Sequence, residues 1–151
     1  MYIIDENKLK KILYDKCNIK IYKAELDDIE DFIKKKLYDL FKVAYYNAQN
    51  ENSKEIKLRH VPLTKGFLDS MEDFREYLDE LNIDKMRIKK FVLTEIPGDI
   101  PIEEDLVEEL PIILGTLFIV FGKVSNAVFP EIIEIKQKHI KKIKEILDYT
   151  L

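Results

Sequence analysis

Apolar residues recur at steps of three and four through two long stretches of this chain. Between Glu25 and Gln49 they fall at Ile29, Phe32, Ile33, Leu37, Leu40, Phe41, Ala44 and Ala48. Between Ile102 and Val128 they fall at Leu106, Leu110, Ile113, Leu114, Leu117, Phe121, Val124 and Val128. That spacing keeps one side of a helix apolar, so it predicts two long helices with a continuous buried stripe. Pro111 lies inside the second, where it should kink the helix or mark its true start. Four shorter amphipathic segments flank them. Leu9, Ile12 and Leu13 follow a candidate cap at Asn7, and Ile88, Phe91 and Val92 follow one at Asp84. Leu63, Phe67, Met71, Phe74, Leu78 and Leu81 follow Pro62, which can open a helix without losing a needed N–H. Ile140, Ile143, Leu147 and Leu151 form the last stripe. Alternating residues at Asn18–Tyr22, Ile56–His60 and Ile132–Ile135 predict short extended pieces between the helices.

The pattern occurs twice. A shift of 77 places Ile29 on Leu106, Ile33 on Leu110, Leu37 on Leu114, Leu40 on Leu117 and Phe41 on Phe118. The same shift carries Ile56 onto Ile133, Leu58 onto Ile135 and Leu63 onto Ile140. The first short helices match at 79, Leu9 with Ile88, which implies that the connector Ile96–Pro101 is two residues shorter than its counterpart. The break at Asn82–Asp84 is short and free of Gly and Ser, so halves 1–82 and 83–151 should pack as one globular unit.

Composition narrows the class. With 151 residues, 46% hydrophobic and 36% charged, the chain can bury a real core under a densely charged surface. Four Gly and five Pro leave little room for a strand-and-turn fold, and the richness in Ile, Lys and Glu resembles thermophile composition. The net charge of -4 is shared by the two halves, so neither is a basic nucleic-acid domain by composition. One cysteine, Cys17, fits a reducing compartment, and the start MYIIDENKLKK shows no secretory signal; both point to the cytoplasm. The apolar run Ile112–Gly122 is shorter than a bilayer requires and reads as a buried helix, so no membrane association is expected.

Short helix, loop, long helix, loop, helix resembles the histone fold, and here both partners of a histone pair stand in one chain. The chain resembles a prokaryotic family with two fused histone folds, catalogued as a domain of unknown function. The resemblance lies in Val61–Gly66, in Glu109–Gly115 with Pro111, and in the ending His139–Ile143 through Ile146–Asp148. It implies an all-α fold in which tandem histone folds pack as a single-chain pseudodimer, a handshake of the two long helices. The family implies no established activity.

Histones contact DNA through paired first helices and through each first loop set beside the partner's second loop. Carried onto this sequence, the first-helix pair offers Lys10, Lys11 and Lys16 with Arg87, Lys89 and Lys90. One loop pair joins Lys20 and Lys23 to Lys136 and Lys138. The other joins Lys54, Lys57 and Arg59 to a loop bearing Glu95 and Asp99, whose acids repel phosphate. Phosphate contacts of this kind are salt-sensitive and sequence-blind. The alternative is that these lysines are ordinary solvated charges.

Other chemistry is sparse. His60 and His139 lack companion ligands at metal spacing and read as surface or capping residues. Cys17 reads as a structural thiol, the acids around Asp27–Asp31 and Glu103–Glu109 as helix N-terminal charge, and Gly115 and Gly122 as points of close helix crossing. Tyr38, Tyr45 and Tyr46 read as core edge or partner surface. No catalytic constellation, metal site or cofactor site is recognisable. The expected function is a non-enzymatic protein-interaction or structural module with an unidentified protein partner. The alternative is a minimal histone-like protein that binds or bends double-stranded DNA.

Overall fold

The computed structural model describes residues 2–96 and 98–151; Pro97, part of the connector read from the sequence, lies outside them. Six helices follow in order: α1 (Glu6–Cys17), α2 (Lys23–Asn50), α3 (Lys65–Glu80), α4 (Lys85–Glu95), α5 (Glu104–Val128) and α6 (Gln137–Thr150). The fold is all-α, and among the described residues no multi-residue strand forms.

The centre of the molecule is α5, which packs against all five other helices. Residues 110–119 are buried without interruption, because helices cover α5 on every side there. By length and composition α5 is apolar enough to cross a membrane, but 67% of its most apolar window is buried inside the fold, as in a core helix. Pro111 interrupts neither end; the helix runs through it from Glu104. The N-terminal part of α2 meets the C-terminal part of α5 where the rings of Phe32 and Phe121 stand edge to face at 6.0 Å.

The two glycines of α5 permit its closest contacts. A Cβ on Gly122 would lie 2.5 Å from Cys17 Sγ of α1. Gly115 is filled in the same way by Phe74 of α3. Cys17 is buried there, its thiol directed to the Ile119 carbonyl at 3.6 Å and pushed up to about 12 by burial.

Two single-residue parallel bridges each join a connector of the first three helices to a connector of the last three. Lys20 N–H donates to the Ile133 carbonyl at 2.7 Å, and Ile135 N–H donates to the Lys20 carbonyl at 3.1 Å. Ile56 N–H donates to the Pro101 carbonyl at 2.8 Å, and Glu103 N–H donates to the Ile56 carbonyl at 2.9 Å.

Several local expectations are corrected. Asp5, not Asn7, caps α1, accepting from the N–H groups of Asn7 and Lys8. The extended pieces shrink to the two bridges, and Leu58–His60 is a tight 3-10 turn. Pro62 does not open α3. Thr64 caps that helix, accepting from Phe67 N–H at 3.1 Å, and Pro62 lies in the break between the 3-10 turn and the cap. Asp84 does cap α4.

The second connector, 96–103, is longer than the first, 18–22, not shorter. Aligning the starts of the long helices therefore takes Lys23 onto Glu104, one turn further along than the apolar match at 77. Both registers set buried residues on buried residues, because positions four apart share a helix face. Past the long helices the equivalence is again 79: Ile56 and Ile135 are both buried, whereas Leu58 and Ile133 are exposed.

Candidate functional site

The candidate cations of the short helices are largely occupied by neighbouring acids. Lys10 pairs with Glu6 at 2.8 Å and Lys11 with Asp15 at 3.0 Å, both one turn apart on α1. Lys16 reaches across to Asp73 at 3.7 Å and Glu76 at 3.6 Å on α3. On α4, Lys89 pairs with Glu108 of α5 at 2.8 Å, and the Arg87 guanidinium donates to the Tyr2 carbonyl. Lys90 is exposed with no acid partner among the described residues. Of these six, four are neutralised locally and one anchors the N-terminal segment.

The Lys20–Glu134 bridge sets the connector that holds Lys20 and leads into Lys23 beside the connector that leads through Lys136 to Lys138. Lys20, Lys23 and Lys138 are exposed and have no acid partner among the described residues, while Lys136 lies 3.6 Å from Glu134. Two tyrosines with no role in the sequence expectations stand among them. Lys20 Nζ sits 5.8 Å from the Tyr14 ring centre, and Lys136 Nζ sits 5.3 Å from that of Tyr22. The Tyr22 hydroxyl donates to Glu134 at 2.9 Å, which raises its pKa. The sequence signal was present, a Tyr near a Lys at each position, but spacing alone does not separate an exposed ring from a core edge.

The second loop pair is different in kind. Arg59 is bound to Glu51, and that carboxylate also accepts from His60 Nε2 at 2.8 Å. These two contacts, Arg59 first, pull the Glu51 carboxyl down to about 2. Opposite them, the Tyr45 hydroxyl donates to Asp99 at 2.9 Å, and the Tyr45 ring lies over Gly98. Gly98 has φ 102, and a Cβ there would fall 2.4 Å from the ring, so only glycine fits. Lys54 is exposed and Lys57 half-buried. Tyr38 and Tyr46 are exposed on α2.

Both histidines are buried caps and not surface residues. His60 Nδ1 accepts the N–H of Lys57, and His139 Nδ1 that of Lys136, each at 2.9 Å. Accepting at Nδ1 leaves the proton of the neutral ring on Nε2. Burial, then Lys138 and Lys136, lowers the pKa of His139. Among the described residues no three His, Cys, Asp or Glu gather as a metal site.

A family model described as a domain of unknown function, DUF1931, matches residues 9–148. The chain is similar to ttk003001566 from Thermus thermophilus, with a TM-score of 0.87 at 20% identity, over 99% of this chain and 100% of that one. It is also similar to protein AQ328 from Aquifex aeolicus, with a TM-score of 0.75 at 18% identity, over 97% and 95% respectively. At those identities the likeness is one of fold. No curated protein sequence matches the chain significantly.

Proposed function

The chain belongs to the DUF1931 family, and from that premise we propose that it is a single-chain pair of histone folds acting as a non-enzymatic protein-interaction module. Support for the paired fold comes from the two bridges, each joining a connector of the first three helices to one of the last three. In that arrangement the long helices α2 and α5 cover each other's apolar stripes, and the second half supplies the partner that a lone histone fold finds in another chain.

The observation that carries the interaction reading is the internal neutralisation of the short-helix cations. Lys10, Lys11, Lys16 and Lys89 each have an acid within 4.0 Å. At the second loop pair Arg59 is held by Glu51 and also faces Glu103, which interrupts any basic track there. A duplex ligand gains affinity from each phosphate that a free cation neutralises, and few free cations remain on these surfaces. The DNA reading keeps one specific support, Lys20, Lys23 and Lys138 at the first loop pair, which have no acid partner among the described residues. Gel retardation of duplex DNA at low salt decides between them. We expect no shift at micromolar protein, together with capture of a protein partner from native extract that survives nuclease. A salt-sensitive shift that Lys20→Glu with Lys23→Glu abolishes would establish the DNA reading instead.

A further inference from the structure

The two buried histidines occupy equivalent places in the two halves, and each fastens one of the bridges. Ile56 and Ile135 donate their N–H groups across the bridges. They directly precede Lys57 and Lys136, whose N–H groups the rings of His60 and His139 accept at 2.9 Å. The rings differ in what holds the other nitrogen. His60 Nε2 donates to Glu51 at 2.8 Å, and Asn47 of α2 donates to the His60 carbonyl at 2.8 Å. At the offset that relates the two histidines, Pro130 stands where Glu51 would be. His139 instead meets the Phe129 ring edge to face at 4.8 Å, and no carboxylate pairs with it among the described residues. The charges that act on it are Lys138 and Lys136, both positive. Across from α6, α2 contributes Lys36, paired with Asp148, and Asp28, paired with Lys144. α5 has no charged residue after Lys123, which is paired with Asp73. In the connector that follows α5, Glu131 is exposed, and Glu134 is engaged by Tyr22 and Lys136.

We propose that His139 is an acid-released latch: a proton on its Nδ1 frees the Lys136 N–H and opens the Lys20–Glu134 bridge, while the Ile56–Ile102 bridge stays closed. An imidazolium donates from both nitrogens, so the protonated ring can no longer accept that N–H. Its charge is then buried beside two lysines with no counter-ion, and the ring leaves its site for water. The connector that it fastened, one residue from the bridge, is released with it. A proton on His60 has a different consequence. That cap is lost too, but Glu51 stays ionised, its carboxyl titrating only at about 2, and pairs with the charged ring. The ion pair and the Asn47 bond keep the turn on α2. Acid therefore reshapes one loop pair and spares the other. The one that it opens carries Lys20 and Lys138, which have no acid partner among the described residues. The latch goes beyond the interaction-module reading and does not depend on what binds there.

The test is amide hydrogen exchange of the full chain by NMR, read as protection factors between about pH 7.5 and about pH 5, where histidine ordinarily titrates. The amides of Lys20 and Ile135 report on the first bridge, and those of Ile56 and Glu103 on the second. We expect protection at Lys20 and Ile135 to fall about tenfold across this range, as uptake of one proton by the open form requires. Protection at Ile56 and Glu103 should hold. His139→Gln should abolish the fall, because glutamine at the third position of a helix can accept the same N–H and does not titrate. In the native chain, the midpoint of the exchange change should coincide with the titration of the His139 ring followed by its nitrogen shifts, a reading that needs no variant. Equal loss at both bridges, a fall that persists in His139→Gln, or a ring titration whose midpoint departs from that of bridge opening overturns the proposal.

Discussion

The Phe74 ring occupies the space that a side chain at Gly115 would need: a Cβ there would lie 2.1 Å from Phe74 Cζ. Phe74 is fully buried on α3, so the ring has no solvent side into which to swing. Gly115→Ala should therefore destabilise the fold by about 2 kcal/mol, the overpacking penalty less the helix-propensity gain of replacing glycine. Gly66 is the internal control. It lies in the first turn of α3 with nothing within 4 Å of an added methyl, so Gly66→Ala should be neutral or stabilising by up to about 1 kcal/mol. Urea denaturation of the two variants checks both signs.

The stripes that form the core make a second prediction. Leu37 and Leu114 are completely buried on α2 and α5. Leu37→Asp or Leu114→Asp would place an unpaired carboxylate in that core and should abolish the cooperative thermal transition. The milder Leu114→Ala should lower stability by about 2–5 kcal/mol, depending on how far the surroundings collapse. A cooperative melt unchanged by either aspartate would overturn the shared core.

His139 makes stability depend on pH. Its pKa in the fold is lowered from 6.5, so the folded chain resists a proton that the unfolded chain accepts. Stability from this group is thus complete above the unfolded value and is lost as pH falls below 6.5 toward the folded value. The structural reason is the cap, since a ring protonated at Nδ1 can no longer accept the Lys136 N–H. Melting temperature measured between neutral and mildly acidic pH should fall more steeply for the native chain than for His139→Gln. Parallel curves would remove His139 from the acid response.

How much of this was legible beforehand follows from what the sequence pattern can encode. The helices were readable because burial on one face imposes a period, and Ile29 or Leu114 announces itself that way. Gly115 and Gly122 were readable as close crossings because a mid-helix glycine otherwise weakens a helix. The register of the repeat was not readable, because a slip of one turn leaves the same face apolar. The connector lengths that resolve it, 18–22 against 96–103, carry no periodic signal. The ends of helices also escaped: Asp5 and Asn7 are equally good caps by type, and only the chain path selects Asp5. The lysines of the candidate interface were all visible, but not their neutralisation. Lys16 meets Asp73 and Lys89 meets Glu108 only after folding.

The pair formed by Lys36 and Asp148 makes the last prediction. Lys36 is a core-facing position of α2, 5% exposed, and its ammonium lies 2.7 Å from Asp148 on α6. Asp39 stands further off at 3.9 Å, and the Phe32 ring lies beneath the ammonium at 5.6 Å. The hydrogen bond from Lys36 holds the Asp148 carboxyl below the usual range. Removing the acid and removing the buried cation should then differ in sign. Asp148→Asn strands a buried cation and should destabilise by about 2 kcal/mol, less than for a fully enclosed pair because Asp148 is itself half exposed. Lys36→Met takes away the desolvated charge along with its need for a partner, and it keeps the apolar stem against Phe32. It should be neutral or stabilising. Combined, Asp148→Asn should add almost nothing to Lys36→Met, because the charge that it would strand is gone. Urea denaturation of the two single variants and the double variant closes the cycle. A large loss in Lys36→Met alone would instead make the ion pair a net source of stability joining α6 to α2.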